Sequence, residues 1–154
     1  MSKNIKAIIL AGGLGTRISE YTDLIPKPMV LIGKDPIITH IIKIFIKFKI
    51  THFCIALGYK KKIIQNYFIK KSVSHRLSKG ILICDLILMN KSVTIELIPT
   101  GKKTMTGGRV KRILKLYNDD FYLLTYGDGI ANVNIDKLIK FHKKNLGLVS
   151  MTEV

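Results

Sequence analysis

The residues best suited to chemistry lie close to the start of the chain. Leu10-Ala11-Gly12-Gly13-Leu14-Gly15-Thr16-Arg17 packs three glycines into four positions, and Pro26-Lys27-Pro28 follows. A backbone that turns sharply and closes on a ligand needs residues without a Cβ. The amides of such a loop converge on anionic oxygens. Arg17 adds a planar guanidinium suited to phosphate, and Lys27 adds a second cation on a segment stiffened by flanking prolines. Together they describe a pocket for a polyphosphate, a nucleoside triphosphate above all. A Walker loop would need Gly-Lys-Ser/Thr after four spacers, which is missing here. A dinucleotide fingerprint would put Ile18 at its third glycine, and the next expected strand, His52 to Leu57, ends without the ribose-binding acid. The bland alternative is a glycine-rich strand-to-helix turn, and the cations that follow weigh against it.

Two later segments carry compatible chemistry. In Thr125-Tyr126-Gly127-Asp128-Gly129 a carboxylate at a strand end stands between small residues. Such a group can reach a Mg2+ that bridges two phosphates; the competing reading is a turn aspartate. In Thr104-Met105-Thr106-Gly107-Gly108-Arg109 two glycines open an expected helix and let backbone approach a flat base.

These segments need elements that bring them together. Lys6 to Leu10 reads as a buried parallel strand, and Pro36 to Phe48 as an apolar helix with Asp35 as N-cap. His52 to Leu57 reads as a strand broken by Gly58, and Tyr59 to Lys71 as an amphipathic helix. Ser92 to Pro99 alternates as a strand, Gly107 to Tyr117 reads as a helix, Phe121 to Tyr126 as a buried strand and Asn134 to Lys144 as a helix. Lys70 to Asn90 is ambiguous, with Ile81 to Leu88 as an edge strand of an insertion, and Leu146 to Thr152 reads as the start of a strand. Alternation of this kind implies an α/β fold with a doubly wound, mostly parallel sheet. Ligands bind beyond the carboxyl ends of such strands. The glycine loop, residues 104–112 and Asp128 each follow a strand and can meet in one cleft.

Composition narrows the class. The chain has 154 residues, enough for one domain with a real core, and 26 basic against 10 acidic residues give a net charge of +16. The lysines are scattered over helix faces rather than gathered in one tract. They imply a field that attracts anionic substrates, and nothing in the sequence matches a nucleic-acid-binding motif. No uncharged apolar stretch reaches the ~18 residues of a membrane span. The N-terminus leads into a strand without a signal-peptide pattern, which implies a cytoplasmic protein. Cys54 and Cys84 lie in expected strands, fit no zinc spacing and read as reduced core residues. The four histidines are dispersed and read as structural or surface residues.

The segments LAGGLGTR (Leu10 to Arg17), LIPKPMVLIG (Leu24 to Gly33), TMTGGRVKR (Thr104 to Arg112) and TYGDG (Thr125 to Gly129) closely resemble the sugar-1-phosphate nucleotidyltransferases. The last two point to the cytidylyl-transferring branch. The likeness runs from Lys6 to about Lys144 and is looser from Lys70 to Asn90. It implies a Rossmann-like fold, with residues 1–154 as the N-terminal nucleotide-binding portion and the C-terminal sugar-binding part absent. It also implies the reaction of CTP with glucose 1-phosphate to give CDP-glucose and pyrophosphate, with Mg2+, in deoxysugar and surface-polysaccharide (O-antigen) synthesis. By resemblance, Leu10, Ala11, Gly12, Gly13, Leu14, Gly15, Thr16, Arg17 and Lys27 contact substrate, with Arg17 and Lys27 as the catalytic cations. Thr104, Gly107, Gly108, Arg109 and Gly127 contact nucleotide, and Asp128 binds the metal. The implied partners are the two substrates and, for the full-length protein, further copies of itself; neither nucleic acid nor membrane is implied. Nothing here matches the family's second metal aspartate, so a truncated, inactive nucleotide-binding module stands as the alternative.

Overall fold

KAIILA, residues Lys6–Ala11, forms strand β1, and from Ala7 onward every residue is buried. A run apolar at consecutive positions suits a strand covered on both faces. The computed structural model describes residues 5–13, 25–145 and 147–152. A short 3-10 turn, Lys27–Met29, leads through β2 (Leu31–Ile32) and β3 (Asp35–Pro36) into helix α1, Ile37–Lys47. Then come β4 (His52–Leu57), α2 (Lys61–Lys71), β5 (Ser74–Ser78), β6 (Ile81–Leu88), β7 (Lys91–Pro99), α3 (Thr106–Leu114), β8 (Leu123–Tyr126) and α4 (Ile135–Asn145).

The main sheet has six strands in the order β5-β6-β7-β4-β1-β8. β7, β4, β1 and β8 run parallel, while β6 is antiparallel to both β7 and β5. Helices cover both faces, as a doubly wound sheet requires. On one face α1, α2 and α4 pack over Ile9, Phe53, Ile55, Ile95 and Leu97. On the other, α3 sets Ile113 against Ile8, Leu10, Cys54, Ala56 and Ile98. Burying one such side chain contributes roughly 1.5–3 kcal/mol. The two cysteines therefore belong to opposite faces, and both are free thiols.

Several expectations are corrected. Asp35 is not the cap of α1: Pro36 takes that position without a side-chain cap bond, and Asp35 pairs instead with Lys43 at 2.5 Å. Ile81–Leu88 is not an edge strand but an inner one, because β5 supplies the edge. Two two-residue turns build this meander, Lys79-Gly80 (φ +48° and +78°) and Met89-Asn90 (φ +50° and +57°). Positive φ at both turn residues matches the twist of a hairpin. Residues 121–126 were expected to be buried. The strand at Leu123–Tyr126 instead lies at the other edge, with Leu124 and Tyr126 more than half exposed. Residues 147–152 form no strand.

Candidate functional site

Register sets the site. Ala11, Leu57 and Pro99 are in register at the carboxyl ends of β1, β4 and β7, and Leu10 pairs with Tyr126 of β8. The residues that follow these strands are Gly12, Gly58, Thr100 and Gly127. Small size matters at each glycine. A Cβ on Gly12 would lie 2.3 Å from Arg109 Nη1, and one on Gly58 would lie 2.5 Å from the Gly12 carbonyl oxygen. A Cβ on Gly127 would meet Leu10 O at 3.0 Å and Pro28 Cγ at 3.1 Å. The strand ends close on one another only because these side chains are absent.

Arg109 fills the space so created. It projects from the first turn of α3 and is 5% exposed. Its Nη1 donates to Thr100 Oγ1 at 2.7 Å, Gly101 O at 2.8 Å and Leu57 O at 3.2 Å, while Nη2 donates to Gly12 O at 2.7 Å. Burial, then the nearby charge of Arg112, pulls the Arg109 pKa below its ordinary value. Thr100 Oγ1 donates in turn to Leu57 O at 2.8 Å. Arg112 donates to the Thr100 carbonyl and, at 2.9 Å, to Thr104 Oγ1. Arg109 is thus the pin that holds the start of the glycine loop against β4 and β7.

Above this floor lies a cleft of about 410 Å³, lined by Leu10, Ala11, Gly12, Gly13, Lys27, Thr104, Arg109 and Asp128, among others. Residues far apart in sequence do converge. Met105, Thr106 and Tyr126 line it from within the segments picked out in the sequence, and Lys102 and Lys103, which were not singled out, line it as well. Lys102 Nζ stands 5.4 Å from the ring centroid of Tyr59. Gly127 is buried and is not among the residues lining the cleft. Gly107 faces open space, with nothing within 4 Å of a Cβ built on it, whereas a Cβ on Gly108 would come within 2.8 Å of Thr104 Cγ2. Leu14, Gly15, Thr16 and Arg17 lie outside the described residues. Gly58 was legible only as a strand breaker and Thr100 was not singled out, since their role depends on register.

Lys27, Lys102, Lys103 and Arg109 give the cleft its cationic groups, and Asp128 is its one carboxylate among the described residues. This suits a polyanion carried with a hard cation, because Mg2+ takes one or two carboxylates plus phosphate oxygens. A different set, His52, Cys54 and Glu96, could also hold a metal ion. It lies toward the opposite ends of the strands, and its sulfur and nitrogen donors do not suit Mg2+.

A mostly parallel sheet with glycines after its first strand, and a cleft at the carboxyl ends of the strands, is the arrangement in which open α/β sheets bind ligands. Residues 6–153 match the nucleotidyl transferase family, and the chain belongs to it. It is 43% identical to glucose-1-phosphate cytidylyltransferase of Salmonella typhimurium, over 90% of this chain and 56% of that protein. It is 37% identical to the probable glucose-1-phosphate cytidylyltransferase of Bacillus subtilis, over 97% of this chain and 60% of that protein. The chain therefore spans little more than half the length of these relatives. Among solved structures, HddC from Yersinia pseudotuberculosis, complexed with GMP-PN, superposes with a TM-score of 0.67 at 25% identity, over 90% of this chain and 54% of its own. No helix among the described residues is long and apolar enough to cross a membrane.

Proposed function

We propose that this chain is the nucleotide-binding part of a glucose-1-phosphate cytidylyltransferase, which forms CDP-glucose and pyrophosphate from CTP and glucose 1-phosphate. The observation that carries the reading is the convergence of the Gly12-Gly13 backbone, Lys27, Thr104 and Asp128 on one cleft. The cytidylyl assignment rests on the TMTGGR and TYGDG segments and on the relatives' names.

In the proposed reaction a phosphate oxygen of glucose 1-phosphate bonds to the α-phosphorus of CTP. The bond from that phosphorus to the bridging oxygen breaks, and pyrophosphate leaves with the electron pair. Both reactants are anions, so positioning and charge neutralisation dominate the barrier. Glycine-loop amides hold the triphosphate, and Arg109 keeps the start of that loop in place from beneath. Lys27 screens the α-phosphate and the incoming sugar phosphate, and Arg17, assigned from sequence, stabilises the leaving oxygens. Asp128 would hold Mg2+, which supplies neutralisation of the phosphate oxygens. Thr104, which lines the cleft, and the backbone at Gly107, assigned from sequence, contact the base.

Titrating CTP, UTP, ATP and GTP in the presence of Mg2+ tests this. CTP should bind tightest, and Lys27→Ala should weaken it at least about tenfold while leaving the fold intact. Equal affinity for all four would reduce the cleft to an unspecific phosphate site. A second reading, binding without turnover, is favoured by Asp128 being the single carboxylate in the cleft among the described residues. Pyrophosphate release with both substrates separates the two.

A further inference from the structure

His52 and Cys54 alternate on one face of β4, and Glu96 of the neighbouring strand β7 is in register with Cys54. This is the face on which α3 packs, toward the strand ends opposite the nucleotide cleft. We propose that His52 Nε2, Cys54 Sγ and Glu96 Oε1 form a site for a zinc-type divalent transition-metal ion, separate from the cleft and independent of the reaction proposed for it.

The donor atoms already lie within 4.8 Å of one another, with His52 Nε2 and Glu96 Oε1 2.5 Å apart. Ligand bonds of about 2.0–2.3 Å in a tetrahedron place donors roughly 3.3–3.8 Å apart. Cys54 need only approach, and the His52–Glu96 contact need only open by less than an ångström to admit the ion between them. Once binding displaces the proton of the buried Cys54 thiol, the donors are one thiolate, one imidazole and one carboxylate. That combination suits zinc or cobalt and disfavours Mg2+ and Ca2+, which take oxygen. The two anionic ligands neutralise a dication, so the buried complex carries no net charge. Three protein ligands leave a fourth position for water.

The surroundings fit. The Tyr117 hydroxyl donates to Glu96 Oε2, the oxygen not facing His52, and so orients the carboxylate as outer-shell partners of metal ligands do. Lys6, the nearest cation, is held by Asp119 at 2.6 Å and stands 4.7 Å from the Tyr117 ring centroid. The side chain of His52 is 26% exposed, which gives an ion a way in, while Cys54 is fully buried. The bound ion would clip β4 to β7 at the end of the sheet away from the cleft.

The test uses the metal-free 154-residue chain titrated with Co2+ and then Zn2+. One equivalent of Co2+ should bind with the absorption band of a thiolate–cobalt bond, and Zn2+ should abolish that band. Cys54→Ser should remove the band, and His52→Ala should weaken Zn2+ binding at least about 100-fold. Cys84→Ser, on the other face, should change neither. Absence of a thiolate band in the unsubstituted chain overturns the proposal without any variant having to fold. A band lost in Cys84→Ser but kept in Cys54→Ser, or Zn2+ affinity unchanged in His52→Ala, overturns it equally.

Discussion

The two ends of the same parallel strands are built on opposite plans. At the carboxyl ends of β1, β4 and β7 the chain continues with Gly12, Gly58 and Thr100, and the space left by missing side chains is taken by one guanidinium whose partners are mostly backbone carbonyls. Toward the amino ends, Lys6, His52, Cys54 and Glu96 occupy the same face of the sheet, and their side chains meet one another and Tyr117. Helix α3 serves both ends, with Arg109 in its first turn and Tyr117 just beyond its last. The carboxyl end therefore leaves polar capacity turned outward for a ligand. The other end turns its polar groups toward one another.

The largest effect should come from Arg109→Ala. It takes the arginine donor from Gly12 O, Gly101 O and Thr100 Oγ1, while Leu57 O keeps both Thr100 donors; an acceptor left unsatisfied in the interior costs about 1–3 kcal/mol. We expect the free energy of unfolding to fall by roughly 3 kcal/mol or more, seen as a lower urea midpoint, with CTP binding lost as well. Arg109→Lys should recover little, because an ammonium lacks the planar fork. An unchanged midpoint would show that Arg109 does not pin the strand ends.

Glycines at the cleft sharpen the contrast. Gly58→Ala drives a methyl into the Gly12 carbonyl oxygen and the Arg109 guanidinium, and overpacking of that kind costs about 1–3 kcal/mol. Gly107→Ala meets open space in a helical position and should raise stability by up to about 1 kcal/mol. If a base rests against Gly107, the same variant weakens CTP binding, and a thermal melt beside a CTP titration separates the two effects. A Gly107→Ala chain that is more stable and binds CTP normally would remove Gly107 from the base site.

How much of this was legible follows from the same geometry. The alternation of elements and the glycine loop are local patterns, and the rule that ligands bind beyond parallel strand ends carries them to a cleft that includes Lys27, Thr104 and Asp128. Residues 74–90 resisted reading because both hairpin turns put an unusual residue, Lys79 or Met89, at positive φ, and because β5 is exposed throughout, so no alternation marks it. The His52, Cys54 and Glu96 cluster has no sequence spacing to betray it. It exists only because parallel register sets position 96 beside position 54.

At the amino end, Tyr117→Phe should cost about 1.5–3 kcal/mol, the range for a hydrogen bond to a charged group, since Glu96 Oε2 loses its tyrosine donor. CTP affinity should stay unchanged, measured by titration beside a urea melt. Weakened CTP binding would mean that the two ends communicate through α3.

The smallest effect concerns Lys6 and Asp119, paired at 2.6 Å with side chains 14% and 27% exposed. The hydrogen bond from Lys6 is the main cause holding the Asp119 carboxyl below its ordinary value of 3.8, with burial opposing it. A carboxylate whose pKa is lower folded than unfolded contributes stability above the unfolded value. That contribution drains away as pH falls through the folded one, because the unfolded chain binds the proton first. Asp119→Asn should therefore cost less than about 1 kcal/mol at pH 7. The gap from the unsubstituted chain should hold down to about pH 5 and then close once the pH drops below 3.8, the ordinary value. Urea midpoints at pH 7, 5 and 3, taken as experimental settings on the order of those boundaries, read it out. A gap at pH 3 as wide as at pH 7 would assign the loss to packing around Tyr122, whose hydroxyl accepts from the Asp119 backbone amide at 3.2 Å, rather than to the ion pair. CTP binding should not change at any of these pH values through this pair, since Lys6 and Asp119 are not among the residues lining the cleft.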